Sequence, residues 1–192
     1  MARASDAEPI RVIYEAVVTA TAITFELDPP TTGQMAGRIA ETLEQRPWLV
    51  CEEAGALLGY AHAGRHRARA AYQWSVEPSV YVSEAARRKG VGRALYKSLF
   101  EVLTLQGFCN AYAGITLPNP ASVALHESFG FERIGVYRAV GFKLGAWHDV
   151  GWWALELRQR PADPPPPIQL RDLPRSGQLP EALASGESHV RV

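Results

Sequence analysis

Thiols are scarce: Cys51 and Cys109 are the two cysteines among 192 residues. They lack the paired spacing of a zinc site or a dithiol redox motif, and two thiols make a poor disulfide framework, so both read as reduced and partly buried. Excess charge is missing too. Twenty basic residues balance twenty acidic ones, which excludes a whole-chain field that would draw the protein onto a nucleic-acid backbone or an anionic membrane. No apolar run reaches the roughly eighteen residues that span a bilayer, and the start, Met1-Ala-Arg-Ala-Ser-Asp-Ala-Glu8, has no apolar signal-peptide core. The expectation is a cytoplasmic protein with no metal and with neither nucleic acid nor membrane as partner.

What is present suits one core, with 47% of the residues hydrophobic. Ile10, Ile13, Tyr14 and Val17 recur at helical spacing, and Ser5 followed by Glu8 has capping-box form, which predicts a helix over 6–19. A second helix is expected over 34–46, ended by Pro47. Residues 48–52 and 56–63 flank the turn signal Glu53-Ala-Gly55 of a β-hairpin. Residues 76–82 read as a strand in which Pro78 cannot donate to a ladder, so a bulge or a break in pairing is expected there. Leu95, Leu99, Val102 and Leu103 share a helix face closed by Gly107, and 110–116 reads as a strand. A short helix over 120–129 stops at Gly130, and 131–140 and 151–157 look like closing strands. The fold class is therefore α+β, or mixed α/β, over residues 1–160. Beyond it, Pro161-Ala-Asp-Pro-Pro-Pro-Pro167 and a polar stretch read as a disordered tail over 161–192.

The segment Val80-Tyr-Val-Ser-Glu-Ala-Ala-Arg-Arg-Lys-Gly-Val-Gly-Arg-Ala-Leu95 runs from a strand through a basic loop into a helix. Gly90 and Gly92 let backbone N–H groups converge, the helix N-terminus adds partial positive charge, and Arg87, Arg88, Lys89 and Arg93 strengthen the attraction for an anion. Two familiar phosphate loops are excluded: position 95 is leucine where a dinucleotide fingerprint needs glycine, and Gly92-Arg-Ala stands where a nucleotide hydrolase has Gly-Lys-Ser/Thr. Alone, such a loop does as well for capping a surface helix as for binding phosphate.

Arg87-Arg-Lys-Gly-Val-Gly92 fits the Q/R-x-x-G-x-G/A pattern of the GCN5-related N-acetyltransferases, in which this loop holds the coenzyme A pyrophosphate. Within that superfamily the chain resembles the phosphinothricin and methionine sulfoximine acetyltransferases. The resemblance is carried by Pro47-Trp-Leu-Val, Ala70-Ala-Tyr-Gln-Trp, Val76-Glu-Pro-Ser-Val-Tyr-Val-Ser, Leu117-Pro-Asn-Pro-Ala-Ser, Leu125-His-Glu and Trp147-His-Asp-Val-Gly. It implies a central, mostly antiparallel sheet flanked by helices and splayed where acetyl-CoA binds, and a homodimer. One departure is visible: the strand expected before the first helix is reduced to Met1-Ala-Arg-Ala, so that edge strand is very short or the natural start lies upstream.

The implied reaction is transfer of acetyl from acetyl-CoA to the amine of a small amino-acid analogue of the phosphinothricin, methionine sulfoximine or methionine sulfone type. An α-amino group is mostly protonated at neutral pH, so a base must take its proton before attack. Resemblance puts Glu77 beside that amine, whereas a lone glutamate in a strand is more often on a solvated face. His126 shares a helix face with Ser122 and Phe129, so it reads either as a satisfied core histidine or as a secondary base. Coenzyme contacts are expected from the backbone of Val80, Tyr81 and Val82, from the loop Arg87, Arg88, Lys89, Gly90, Val91, Gly92 and Arg93, and from Asn119 and Ser122. Arg67 and Arg69 could hold the acidic group of the acceptor by paired hydrogen bonds or form a solvated basic loop. Phe25, Tyr72 and Ser79 complete the implied acceptor pocket, and Trp147, Trp152 and Trp153 read as core or dimer interface. The competing readings are a protein or peptide N-acetyltransferase and a non-catalytic coenzyme A-binding module.

Overall fold

Ile10, Tyr14 and Val18 recur every fourth residue and hold helix α1 (Ala7–Ala20) against helix α2 (Thr32–Gln45), which contributes Met35 and Ile39. These elements belong to a computed structural model that describes residues 1–174 and 177–191. Thr31 begins α2 with a capping box: its hydroxyl accepts the Gln34 N–H at 3.2 Å, and the Gln34 side chain accepts the Thr31 N–H at 2.8 Å. The Ser5–Glu8 box expected from spacing is not formed. A 3-10 turn over Ala4–Asp6 makes Asp6 the residue before α1 and brings its Oδ2 2.7 Å from the Arg3 N–H. Glu8 turns instead to Arg11, 2.8 Å away on the next turn.

The hairpin of β1 (Trp48–Glu53) and β2 (Ala56–Arg65) closes through Ala54 and Gly55, whose φ values of 48° and 81° are those of a tight primed turn. Strand β3 (Ser75–Val82) follows β2, helix α3 (Val91–Gln106) leads to β4 (Asn110–Leu117), and α4 (Pro120–Glu127) precedes the hairpin of β5 (Glu132–Lys143) and β6 (Ala146–Glu156). The six strands form one sheet in the order β1-β2-β3-β4-β6-β5. Every neighbouring pair is antiparallel except β3 and β4. Leu95, Leu99 and Leu103 of α3 pack on Ala61, Val76, Ala111 and Ala113, while α1 and α2 cover the other face with Trp48 and Tyr60. Residues 1–4 add no strand, although Ala2 is buried and its N–H donates to the Trp48 carbonyl at 2.8 Å.

Two expectations about the C-terminal half need correction. The closing strands run past Val140 and begin before Gly151, turning through Leu144 and Gly145 at φ 52° and 77°. A register shift between Tyr137 and Gly141 breaks the alternation by which a strand is recognised. Of the segment 161–192 expected as a disordered tail, the described residues carry helix α5 (Gln178–Ala184), which packs along α3, and residues 175, 176 and 192 lie outside the described residues. Leu170, Leu173, Leu179 and Ala182 are buried around Val102, and the Gln106 amide donates to the Ile168 carbonyl at 2.7 Å. Spaced leucines in a polar setting supply an apolar stripe that average composition conceals.

Candidate active site

The splay comes from β3. Its pairing with β2 continues without a shift through Ala63 opposite Pro78, but its pairing with β4 ends after Ser75–Asn110 and Val76–Ala111. The Ser83 N–H donates to the Leu58 carbonyl of β2 at 2.9 Å, so by alternation the backbone groups of residues 77, 79 and 81 face β2 and those of 78, 80 and 82 face away. Pro78 therefore puts its missing donor on the open side, and its carbonyl lies 3.5 Å from the Tyr96 hydroxyl. Of the backbone expected to be free at 80–82, Val80 and Val82 face the gap; Tyr81 is turned to β2 and contributes its ring, packed at 5.2 Å on both Tyr60 and Tyr14.

The gap between β3 and β4 is a slot of about 70 Å³ lined by Pro78, Ser79, Val80, Tyr96, Asn119, Ser122 and His126, among others. His126 is buried with both ring nitrogens engaged. Nδ1 is 2.8 Å from the Ser122 carbonyl, which fixes the proton there and leaves Nε2 to accept from the Tyr96 hydroxyl at 3.0 Å. Desolvation pushes the imidazole pKa down, against the pull of the Ser122 carbonyl, and burial pushes the Tyr96 phenol up. The pair is neutral at physiological pH, the arrangement of a satisfied core histidine that also walls the slot. Asn119 caps α4, its Oδ1 accepting the Ser122 N–H at 3.2 Å.

Past Val80 and Val82, whose side chains lie next to Gly92, Gly90 takes the left-handed conformation (φ 83°) that opens α3. The first intrahelical acceptor is its own carbonyl, bonded to the Ala94 N–H at 2.9 Å, so the N–H groups of Val91, Gly92 and Arg93 have no helical partner and suit an anion. Arg87, Arg88, Lys89 and Arg93 are exposed around them, Arg93 lying 5.5 Å over the Phe129 ring. Residues 189–191 lie on this loop: a Cβ on Gly90 would fall 1.9 Å from the His189 carbonyl oxygen, and the Arg191 N–H donates to the Lys89 carbonyl at 2.8 Å.

Glu77 points to the α1 and α2 side of the sheet with a third of its side chain exposed (33%). Its Oε1 sits 2.8 Å from His66 Nδ1 and 3.0 Å from Arg67 Nη1. Arg67 thus faces the carboxylate, lies 5.6 Å over the Trp152 ring and is half in solvent, whereas Arg69 is exposed with no ion pair among the described residues. His66 stacks on Tyr112 at 4.5 Å and meets the edges of Tyr72 and Trp152 at 5.8 and 6.3 Å. Phe25 lines an adjoining apolar cavity of about 300 Å³ with Ile23, Gly114, Tyr137 and Trp152. Its ring occupies the space a side chain at Gly141 would take, 2.2 Å from that Cβ position. Sequence reasoning missed His66, Tyr112, Tyr96 and the site role of Trp152. Alternation from Tyr60 through His62 and Gly64 places His66 on the face of Glu77, and that was the available signal.

Among the described residues no cluster of three or more His, Cys, Asp or Glu could hold a metal, and no helix is long and apolar enough to cross a membrane. Residues 1–152 match the family described as acetyltransferase (GNAT) domain. A phosphinothricin N-acetyltransferase from Streptomyces viridochromogenes is 39% identical over 165 residues, covering 86% of this chain and 90% of that protein. An L-methionine sulfoximine/L-methionine sulfone acetyltransferase from Salmonella typhimurium is 36% identical over 159 residues, covering 82% and 93%. The crystal structure of a GNAT phosphinothricin acetyltransferase from Sinorhizobium meliloti in complex with AcCoA superposes with a TM-score of 0.77 at 39% identity, over 81% of this chain and 85% of that one.

Proposed function

Because the chain belongs to the GNAT acetyltransferase family, we propose that it acetylates the α-amine of a small amino-acid analogue of the phosphinothricin, methionine sulfoximine or methionine sulfone class, in the cytoplasm. Acetyl-CoA supplies an activated acetyl thioester. The residues fit that cosubstrate: the left-handed Gly90 and the unpaired N–H groups of the α3 first turn suit its pyrophosphate, and the unpaired side of β3 suits its amide-bearing arm. The Val80 N–H faces the slot, where it can stabilise charge building on the acetyl carbonyl oxygen. Glu77 takes the ammonium proton so that the free amine can attack, Arg67 and Arg69 receive the acceptor's acidic group, and Phe25, Tyr72, Tyr112 and Trp152 wall the pocket.

Glu77 carries the reading: a carboxylate held by two donors on one oxygen, beside an aromatic pocket at the point where the sheet opens. The test is thiol release from acetyl-CoA with a panel of the three analogues and short peptides. Glu77→Gln is expected to lower kcat by about 100-fold or more. A variant with unchanged turnover removes the assigned base, and acetylation of peptides but not of analogues removes the acceptor class. The same reading takes the β5–β6 hairpin as the face of a homodimer, since Ile134, Tyr137, Phe142, Leu144 and Trp147 are all exposed there.

A further inference from the structure

We infer that His66 is a positioning residue that fixes the Glu77 carboxylate for proton transfer; this rests on Glu77 as the base. Both donors to Glu77 fall on Oε1, so Oε2 is left to meet the acceptor's ammonium. The two donors are not equivalent. Arg67 has 44% of its side chain in solvent, and an ion pair so exposed fixes little. His66 is 11% exposed and clamped by its stack on Tyr112, so its 2.8 Å contact is the one that sets the carboxylate's rotation. A carboxylate can only accept, so Nδ1 carries the proton in that contact. When an acceptor's acidic group draws Arg67 away, His66 still holds Glu77 in place.

His66→Phe keeps the stack on Tyr112 and deletes the donor, and His66→Asn restores an N–H at similar depth. The expected result is a fall in kcat of about tenfold for the Phe variant, with both KM values within about twofold, and recovery of most of that loss in the Asn variant. In a Glu77→Gln background His66→Phe should cost nothing more, because it acts through the carboxylate. Wild-type kcat in His66→Phe, or Asn behaving like Phe, overturns the inference while the loss in Glu77→Gln leaves the base standing. Full activity of Glu77→Gln overturns the base itself.

A separate observation concerns the coenzyme loop. From Ile168 the chain follows α3 toward its N-terminus: Ser98 Oγ donates to the Leu183 carbonyl at 2.7 Å and accepts the Gly186 N–H at 3.1 Å, and the 3-10 turn Glu187–His189 brings His189 onto Gly90. We propose that residues 186–191 are a strap competing with the coenzyme's phosphates for this loop, a proposal that rests on the loop's coenzyme reading. The strap is anchored by close approach, since a Cβ on Gly186 would fall 2.0 Å from the Ala94 carbonyl oxygen.

Hydrogen exchange of residues 177–191 in the full chain, with and without coenzyme A, reads the competition directly. The coenzyme should accelerate exchange there, and Gly186→Val, which cannot seat, should lower the KM for acetyl-CoA about threefold or more. Calorimetry separates the failures. Coenzyme A that binds without changing exchange in the strap overturns the strap, as does an unchanged KM in Gly186→Val, and absence of binding heat overturns the loop reading beneath it.

Discussion

His62 lies flat on Trp48, ring centroids 4.2 Å apart, and desolvation there, with Arg46 and Arg38 nearby, pushes its imidazole pKa from 6.5 down to about 4. The folded protein refuses a proton that the unfolded chain accepts, so this contribution to stability is complete above pH 6.5 and is lost as the pH falls toward 4. The loss should reach up to about 3 kcal/mol. Denaturant unfolding across that range, wild type against His62→Phe, is expected to show the wild type losing stability relative to the variant as the pH drops; a constant difference would rule out the neutral stacked ring. At this scale the sequence made legible where Gly90 opens α3 and where β3 parts from β4 beside Glu77. At His66 alternation offered the face but not the partner, which is eleven positions away and appears only once β2 and β3 are in register.

Pro78 shows how one residue shapes an element. Its ring removes a donor on the side of β3 that faces the slot and leaves the ladder to β2 intact. Pro78→Ala should therefore change unfolding free energy by no more than about 1 kcal/mol, measured by urea unfolding, and a loss of several kcal/mol would mean that the ring is needed for β3 itself. Elements with an unbroken period were readable without coordinates: α1, α2, α3 and the β1–β2 hairpin stand close to where spacing and turn chemistry put them. Where the period is interrupted it misleads. The shift between Tyr137 and Gly141 hid residues 141–150 of the β5–β6 hairpin, and proline-rich composition hid the leucines that seat α5.

For the whole molecule, the exposed apolar residues of β5 and β6 bear on assembly. Trp147 is 66% exposed and packs on Phe142 with ring centroids 5.4 Å apart, an apolar cluster at the edge of the sheet. Sedimentation should give a dimer for the wild type and a monomer for Phe142→Asp with its helical content retained; a monomeric wild type removes the proposed assembly.

The short contact between β3 and β4 has a mechanical side. Two residue pairs are the entire ladder joining one half of the sheet to the other, pinned by Asn110 Nδ2 donating to Ser75 Oγ at 3.3 Å, while Arg160 Nε donates to Asn110 Oδ1 at 2.8 Å. This is the pivot of a pair of scissors whose blades are β3 and β4. Val80 lies four residues out along its blade, on the order of 13 Å at strand rise. A turn of a few degrees at the pivot therefore moves the slot wall by roughly 1 Å, a displacement that can cost on the order of 100-fold in rate. Ser75 and Asn110, which touch neither partner of the proposed reaction, sit at the point that fixes how far β3 and β4 stand apart.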